Sequence, residues 1–379
     1  MSLALQRLVA SAEALTPQAI DDFLQVNGSP VVEGTTVTFF WHGPADAVRL
    51  RHFVYGLPTA QAFTRLQGTE LWWYALEVPR NSRFEYKIEV QRGERRALER
   101  DPLNPRTARD PFGSNSVCTT GGYETPEWTL PDPEAVPGTL EAVMVPSALH
   151  GTPQRVVLYR PGRMRPSRRY RLLVVFDGED YLRFAGLKTV LDNLVWRSEL
   201  PPLVVALTQS PDRMLDYTAN PGHADWVAHE LLPWLESHLP LRQRAAERCL
   251  LGASLGAVAA LSTAARHPGT FGRLMLQSGS FAFSDYGEVP EHPRLRPVAE
   301  FVNALRQDTP RLAERIFVSC GVYESLIYQN RTLVPRLRDA GMEVRFVESR
   351  DGHNWEAWRD RLRSGLTWLF PGPIGLVYE

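Results

Sequence analysis

The stretch that decides the fold is "RCLLGASLGAVAAL", residues 248–261. It begins with a short apolar run at 249–251 and ends with small apolar residues at the density of a helix. Between them, the pentapeptide GASLG at 252–256 places one serine between two glycines. Where a strand turns sharply into a helix, such a serine takes a strained backbone conformation and its hydroxyl points out of the sheet. The stretch therefore predicts a nucleophile at Ser254.

The residues around Ser254 fit the same role. Gly252 and Gly256 remove the side chains that would clash in such a turn. The N–H of Leu255 would then lie beside the serine hydroxyl at a helix N-terminus, where backbone N–H groups bind an oxyanion. A second donor is expected from the loop after the third strand of the sheet, where "VVFDGEDY" ends that strand. We predict that this donor is the N–H of Glu179.

The second half of the chain alternates short apolar runs with amphipathic segments. The runs are "RLLVVFDG", "LPPLVVALT", "CLLGAS", "GRLMLQSGS", "RIFVSCG" and "EVRFVES". The amphipathic segments between them include "ADWVAHELLPWLESHL" and "NRTLVPRLRDAG". Strands that alternate with helices form a mostly parallel sheet covered on both faces. Together with the serine turn, this pattern predicts an α/β-hydrolase catalytic domain over 137–379.

The first half has a different pattern. Its runs "TTVTFFW", "AVRLRHFVY", "LWWYALEV" and "FEYKIEV" alternate in polarity and are separated by turn residues. They predict an all-β, immunoglobulin-like sandwich domain over 25–120. Residues 1–24 predict an N-terminal helix rather than an export signal, because Arg7 interrupts the apolar part and acidic residues follow. The segment 121–136 is rich in proline and glycine and is interpreted as a linker.

A serine needs a general base to become a nucleophile, and the base needs an acid that orients it. In this fold the chain order is serine, acid, histidine. After Ser254, histidine occurs only at His267, His292 and His353. His267 precedes a proline at a helix end and His292 lies in a loop, whereas His353 follows the last predicted strand in a polar turn before a helix. We therefore predict that His353 is the base.

Two carboxylates compete for the role of the acid. Glu324 follows the penultimate predicted strand in the segment "CGVYES", which is the place of the acid in this fold. Asp351 is only two residues from His353, which is poor geometry for a group that must hold the far nitrogen of the ring. We predict Glu324 and keep Asp351 as the alternative. The three groups predict acyl transfer to serine, which needs no cofactor.

The composition excludes several other classes of function. The chain has 379 residues, of which 44% are hydrophobic and 22% are charged, with a formal net charge of −1. This is typical of a globular protein and gives no reason to expect a nucleic-acid or membrane partner. Three cysteines without a CxxC pair favour a reducing compartment, so we predict a cytoplasmic protein. There is no HExxH motif or other metal-ligand spacing, so no metal is predicted.

Over nearly its whole length the chain resembles the enterochelin (enterobactin) esterase group of the esterase D-like α/β-hydrolases. The matching segments are "FDGEDY", "RMLDYTANPGHADWVAHELLPW", "LLGASLGAVAAL", "PGTFGRLMLQSGSF", "CGVYES" and "RDGHNWEAWRDRL". In that group, too, a β-sandwich precedes the hydrolase. The resemblance implies that Ser254 is the nucleophile, His353 the base and Glu324 the acid. It also implies that Arg213 lines the substrate pocket, and we predict substrate contact for Trp355 as well.

The resemblance implies that the chain opens the trilactone of a catecholate siderophore such as enterobactin, so that iron is released in the cytoplasm. The expected partner is then a small-molecule ester, including an iron–siderophore complex whose metal belongs to the substrate. We expect the first domain to help choose that substrate without taking part in the chemistry.

Two other hypotheses remain open. A feruloyl or acetyl esterase acting on polysaccharide-linked esters can also carry a β-sandwich, and Trp72, Trp73 and Tyr74 could stack on sugar rings. A non-catalytic binding protein on a hydrolase scaffold is the third hypothesis, because a fold does not by itself establish a function. The presence of serine, acid and histidine in the right order argues against it.

Overall fold

The structure is a computed structural model and describes residues 3–11, 15–165, 167–284 and 293–373. The chain divides into two units. The first unit comprises Met1–Glu124, Gly321–Glu324 and Ser349–Asn354. The second comprises Thr125–Cys320, Ser325–Glu348 and Trp355–Glu379. Two short segments that the sequence assigns to the hydrolase domain therefore belong to the first unit.

The first unit consists of antiparallel sheets preceded by helices. The helices are α1 (Leu3–Ser11) and α2 (Pro17–Asn27). The strands are β1 (Val31–Glu33), β2 (Thr36–His42), β3 (Ala47–His52), β4 (Ala60–Ala62), β5 (Thr64–Arg65), β6 (Leu71–Glu77), β7 (Arg83–Arg92), β8 (Arg95–Glu99), β9 (Thr107–Asp110) and β10 (Gly113–Thr119). One sheet has the order β1-β2-β6-β5, and the other has the order β4-β3-β7-β10-β9, with β8 paired to β7.

Alternating side chains explain how β7 buries one face of its sheet. In β7 the residues Phe84, Tyr86, Ile88 and Val90 are buried, whereas the residues between them are partly exposed. Successive side chains of a strand point to opposite faces, so this alternation buries one face of the sheet. Strands of both sheets contribute to a single hydrophobic cluster, to which β2 adds Phe39.

The N-terminal segment contains two helices where the sequence predicts one over 1–24. Helix α2 begins at Pro17, and the side chain of Thr16 accepts a hydrogen bond from the N–H of Ala19 at 3.2 Å. Threonine is favoured at this capping position and proline at the first helical position, so a new helix starts here. The buried side chains of the two helices share a small cluster with Phe40 and Leu71; they are Leu5, Leu8, Ile20 and Leu24.

The second unit is built on one large sheet. Its strands are β11 (Thr139–Val145), β12 (Gln154–Arg160), β13 (Arg171–Val175), β14 (Leu203–Thr208), β15 (Arg248–Ala253), β16 (Arg273–Gln277), β17 (Arg315–Gly321) and β18 (Glu343–Ser349). Its helices are α3 (Gly178–Phe184), α4 (Leu187–Trp196), α5 (Arg213–Asp216), α6 (Pro221–Asp225), α7 (Leu232–His238), α8 (Leu255–Arg266), α9 (Arg296–Gln307), α10 (Ile327–Asp339), α11 (Trp355–Arg359) and α12 (Leu362–Leu369). A π-helical turn, Trp226–Leu231, joins α6 to α7.

The order of this sheet is β11-β12-β14-β13-β15-β16-β17-β18. The pairs from β14 through β17 are parallel, and β11 and β12 are antiparallel to their neighbours. The six apolar runs of the sequence coincide with β13 through β18, which confirms the α/β class. The runs quoted from the sequence do not include β11 and β12, although β13 was counted there as the third strand of the sheet. Most of β11 is exposed at the edge of the sheet, and its apolar run at 142–145 is only four residues long.

Strand β13 shows why both faces of the sheet are covered. Leu172 and Val174 belong to one hydrophobic cluster, and Leu173 and Val175 belong to a second one. Neighbouring residues of a strand point to opposite faces, so each face has its own buried layer. The first cluster includes residues of α7 and α8, and the second includes residues of α4 and α12.

Three further predictions can be compared with the described residues. The predicted linker contains a short 3-10 turn, Glu127–Thr129, whose Trp128 is buried. The cysteines at 118, 249 and 320 are all buried, and no disulfide joins them. None of the helices in the described part of the chain is long and apolar enough to cross a lipid bilayer.

Candidate active site

Ser254 occupies the turn between β15 and α8. Its φ of 57° and ψ of −121° lie in a backbone region that residues other than glycine rarely adopt. Its N–H donates to the carbonyl of Gln277 in the neighbouring strand β16 at 2.9 Å. Backbone strain of this kind persists only where the surrounding structure enforces it, and it is common at functional sites.

The two glycines of the pentapeptide allow α8 to start close to the end of β15. A β-carbon on Gly252 would lie 2.2 Å from the carbonyl oxygen of Gly256, which is far inside van der Waals contact. A β-carbon on Gly256 would lie 3.3 Å from Oδ2 of Asp177, a tight but less severe approach. Gly252 is therefore required by the backbone of the turn itself, whereas Gly256 is constrained by a neighbouring side chain.

A second serine lies beside Ser254. The two hydroxyl oxygens of Ser254 and Ser280 are 3.2 Å apart, and the N–H of Ser280 donates to the carbonyl of Ser254 at 3.2 Å. Ser280 follows β16, the parallel neighbour of β15, so both residues leave the same edge of the sheet. The sequence analysis did not single out Ser280, although its place after the run "GRLMLQ" was a usable signal.

Glu324 and His353 form a hydrogen-bonded pair. Nδ1 of His353 is 2.7 Å from Oε2 of Glu324, and Oε1 of the same carboxylate accepts from the N–H of Gly321 at 2.7 Å. The side chain of Glu324 is 1% exposed, whereas that of His353 is 39% exposed. This is the arrangement of an oriented imidazole, with the carboxylate on Nδ1 and Nε2 at the other side of the ring.

Asp351, the alternative acid, accepts hydrogen bonds from its own loop and from Arg83. Its Oδ1 accepts from the N–H of Gly352 at 2.7 Å, from Nδ2 of Asn354 at 2.8 Å and from Nη1 of Arg83 at 3.3 Å. Of the two candidates, Glu324 is the carboxylate with the hydrogen bond to Nδ1 of His353. The geometry thus favours Glu324 for the role that the sequence left open between them.

The two predicted oxyanion donors occupy the first turns of helices. Leu255 is the first residue of α8. Glu179 lies in the first turn of α3, and its N–H is 3.3 Å from Oε1 of Gln209. The Glu179 carboxylate forms an ion pair with Arg155. Their role as oxyanion donors stays a prediction.

Arg213 is anchored to a buried carboxylate close to the serine turn. Its Nε lies 2.9 Å and 3.0 Å from the two carboxylate oxygens of Asp177, and its Nη2 lies 3.4 Å from the carbonyl of Ala253. Burial raises the pKa of Asp177 to about 6, although the Arg213 charge acts in the opposite direction. Arg213 therefore ties the end of β13 to the residue before Ser254, and its predicted contact with substrate stays a prediction.

Trp355 begins α11 and is buried among aromatic rings. Its ring centroid lies 5.2 Å from that of Tyr181, 5.9 Å from that of Phe184 and 4.8 Å from that of Trp358. These contacts make it a packing residue of the second unit. Whether it also contacts substrate, as the sequence analysis predicts, stays a prediction.

One group of described residues has the side chains of a metal site. Asp225, His229 and His267 place one ligand atom each within 4.8 Å of one another. Nε2 of His267 is 2.9 Å from Oδ1 of Asp225, and the rings of His229 and His267 pack edge to face with centroids 4.6 Å apart. Contacts between the side chains themselves therefore account for their closeness. His223 is buried, and burial lowers its pKa to about 4, which leaves the ring neutral near neutral pH. His292 lies outside the described residues.

Comparison with known proteins identifies the protein family that this chain matches and a related esterase. Residues 147–369 match the protein family described as "Putative esterase". The iron(III) enterobactin esterase of Escherichia coli O6:H1 (strain CFT073) is 25% identical over 376 residues, which cover 87% of this chain and 90% of the relative.

Solved structures share the fold of this chain. The crystal structure of the enterobactin esterase from Shigella flexneri, obtained in the presence of enterobactin, has a TM-score of 0.74 at 23% identity and covers 92% of this chain and 97% of that one. A ferulic acid esterase has a TM-score of 0.55 at 19% identity and covers 62% of this chain and 98% of its own.

Proposed function

This chain belongs to the esterase family that its residues 147–369 match, and on that premise we propose that it is a serine hydrolase that cleaves the ester bonds of a catecholate siderophore trilactone. The family match confirms the membership that the motifs predict. The observation that carries the proposal is the strained Ser254 turn in a chain that also holds the Glu324–His353 pair. These are the three groups that acyl transfer to serine requires.

In the proposed mechanism, Nε2 of His353 takes the proton of the Ser254 hydroxyl while Oγ bonds to the ester carbonyl carbon. The N–H groups of Leu255 and Glu179 stabilise the oxyanion of the tetrahedral intermediate. The bond to the leaving alkoxide then breaks, and the alkoxide takes the proton from Nε2. A water, deprotonated by the same nitrogen, attacks the acyl-enzyme and releases the acid, and Ser254 regains its proton. Glu324 holds the ring through Nδ1 and stabilises its charged form.

The siderophore is favoured as substrate because the likeness to iron(III) enterobactin esterases spans both halves of the chain. A substrate of this kind is a small molecule, and its iron would be part of the substrate. We further propose that the first unit is an immunoglobulin-like β-sandwich that helps choose it. A cavity of about 240 Å³ in this unit supports that role, because it is lined mainly by apolar and aromatic side chains, among them Phe84, Tyr55 and Tyr323. The buried cysteines support a cytoplasmic location.

The alternative, an esterase acting on polysaccharide-linked esters, has less support. The likeness to the ferulic acid esterase covers 62% of the chain. Of the aromatic residues that could stack on sugars, Trp72 is buried in the hydrophobic cluster of the first unit, and Tyr74 is stacked on Phe63 with ring centroids 6.1 Å apart. These contacts favour packing over sugar binding.

A hydrolysis panel tests the proposal. It compares ferric and iron-free catecholate trilactones, linear siderophores, feruloyl sugars and short p-nitrophenyl esters, with product masses as the readout. We expect the trilactone to have the highest kcat/KM and to give its linear and monomeric hydrolysis products. A preference for feruloyl sugars would move the assignment to the alternative.

The Ser254→Ala variant tests the chemistry independently of the substrate. We expect its kcat to fall by 10³ or more, on the order of other triad knockouts. A serine-directed phosphonate should add its mass to the peptide that carries Ser254. Ser280→Ala is the matched control, since it removes a neighbouring hydroxyl and should change kcat less than about tenfold. Labelling at another residue, or a fully active Ser254→Ala variant, would refute the proposed nucleophile.

A further inference from the structure

Two loops of the first unit carry the proposed acid and base. We call Gly321–Glu324 the acid loop and Ser349–Asn354 the base loop. They are joined to each other, because the N–H of Val322 donates to the carbonyl of Ser349 at 2.8 Å and the N–H of Tyr323 lies 3.2 Å from the carbonyl of Asp351. Any group that fixes one loop therefore restrains the other.

A segment from the first half of the chain, residues 80–85, contacts both loops. The N–H of Arg83 donates to the carbonyl of Arg350 at 2.9 Å, and Nη1 of Arg350 donates to the carbonyl of Arg80 at 2.6 Å. On the acid loop, the hydroxyl of Ser82 is 2.6 Å from that of Tyr323. These bonds join the start of β7 to loops that follow β17 and β18.

Arg83 makes the most specific of these contacts. Its side chain is 1% exposed. Its Nη1 donates to Oδ1 of Asn354 at 2.8 Å and to Oδ1 of Asp351 at 3.3 Å, while its Nη2 donates to Glu85 at 3.1 Å. A buried guanidinium that bonds to several partners is held rigidly, because its donors are fixed in one plane. Arg83 therefore holds the base loop by hydrogen bonds on both sides of His353, to Asp351 and to Asn354.

His353 itself is not fixed by burial, since 39% of its side chain is exposed. The bond to Glu324 and the backbone of the base loop are among the contacts that hold its ring in position. We propose that Arg83 is a positioning residue for His353, so that the first unit sets the geometry of the base as well as helping to choose the substrate. This inference rests on the proposed function. It revises the expectation that the first domain only helps to choose the substrate.

A positioning role makes a distinctive kinetic prediction. If Arg83 only helped to bind a large siderophore, its loss would raise KM for large substrates and spare small esters. If it positions His353, its loss lowers kcat for every ester, because a displacement of about 1 Å in a catalytic group can cost about 10²-fold in rate. The size of the substrate then makes no difference.

The test compares Arg83→Ala, Arg83→Lys and Asn354→Ala with Arg49→Ala in the full chain. Arg49 is a matched control: it lies on β3, the neighbour of β7, and pairs with Glu89 at 3.0 Å. We expect Arg83→Ala to lower kcat about 10- to 100-fold with KM within about twofold, both for the trilactone and for a p-nitrophenyl ester. Arg83→Lys keeps the charge without the planar fork and should be intermediate.

Arg49→Ala, Asn354→Ala and the rate of phosphonate labelling provide three further tests of the positioning role of Arg83. Arg49→Ala should keep kcat within about twofold. Asn354→Ala removes one hydrogen bond of Arg83 and should lower kcat several-fold. If Arg83→Ala does not fold, an unchanged kcat in Asn354→Ala would overturn the positioning role. The rate of phosphonate labelling at Ser254 should fall in parallel with kcat. An unchanged kcat in a folded Arg83→Ala variant, an effect confined to KM, or equal losses in Arg83→Ala and Arg49→Ala would overturn the inference. Because Ser254→Ala tests the serine mechanism separately, failure of one proposal is distinguishable from failure of the other.

Discussion

The turn that carries Ser254 and the loops that carry Glu324 and His353 are stabilised in different ways. The turn is held by residues close to it in sequence or on the adjacent strand, such as Gly252 and Gln277. The base loop is held by Arg83, which is 268 positions away from its partner Asp351. One part of the proposed site is thus built from local sequence, and the other depends on residues of the first half of the chain.

This difference changes what the first half of the chain is expected to do. A substitution among residues 80–85 lies far in sequence from any catalytic motif, yet those residues bond directly to the loops of the acid and the base. The sequence divides into a β-rich half and an α/β half, whereas the structural units assign the two loops to the first of these. Residues of the β-rich half are therefore expected to influence the proposed chemistry, although the proposed acid, base and nucleophile all lie in the α/β half of the sequence.

The largest expected effect in the two loops comes from the acid. Glu324→Gln replaces the carboxylate on Nδ1 of His353 and should lower kcat on the order of 10²- to 10⁴-fold, because the imidazole loses the group that fixes its tautomer and stabilises its charge. Asp351→Asn keeps an acceptor for Gly352 and Asn354 and removes the charge facing Arg83, so a smaller loss of several-fold is expected. Initial rates on a short ester, with circular dichroism to verify folding, measure both.

The ranking of these two variants decides the role of each carboxylate. If Asp351→Asn were the more damaging of the two, the acid would be Asp351. If both variants kept nearly full rate, the chain would act through a Ser254–His353 dyad.

A comparison of Gly252 and Gly256 tests how strongly each glycine is required in the serine turn. Gly252→Ala would place a β-carbon 2.2 Å from a backbone oxygen that has no room to move, so it should distort the turn. We expect a loss of about 2–4 kcal/mol in the free energy of unfolding and at least a tenfold fall in kcat. Gly256→Ala meets a side-chain oxygen at 3.3 Å and should cost less than about 1.5 kcal/mol. Denaturant unfolding measures both, and equal losses would contradict the distinction between them.

The contrast between the two regions also explains how much could be predicted from sequence. The serine turn was predictable because its steric requirements lie within five residues, and β13 through β17 were predictable because each contains a buried, mostly apolar run. Strand β11 was harder to identify, because most of its side chains are exposed and its apolar run at 142–145 is short. Arg83 carried no signal at all, since its partners are known only once distant loops have folded beside it, in a chain whose positive charge is almost entirely arginine.

A pH-dependent effect is expected at the anchor near the serine turn. The pKa of Asp177 is raised by burial to about 6, so between roughly pH 4 and pH 6 the folded protein keeps a proton that the unfolded chain has lost. The contribution of this group to stability is therefore full at low pH and is lost as the pH rises through 6. Asp177→Asn removes this titration, although it also removes the partner of Arg213 at every pH. The free energy of unfolding of the variant, relative to the wild type, should improve on the order of 2–3 kcal/mol between pH 4 and pH 7. A pH-independent difference between Asp177→Asn and the wild type would mean that Asp177 is ionised throughout, and that its bond to Arg213 outweighs its burial.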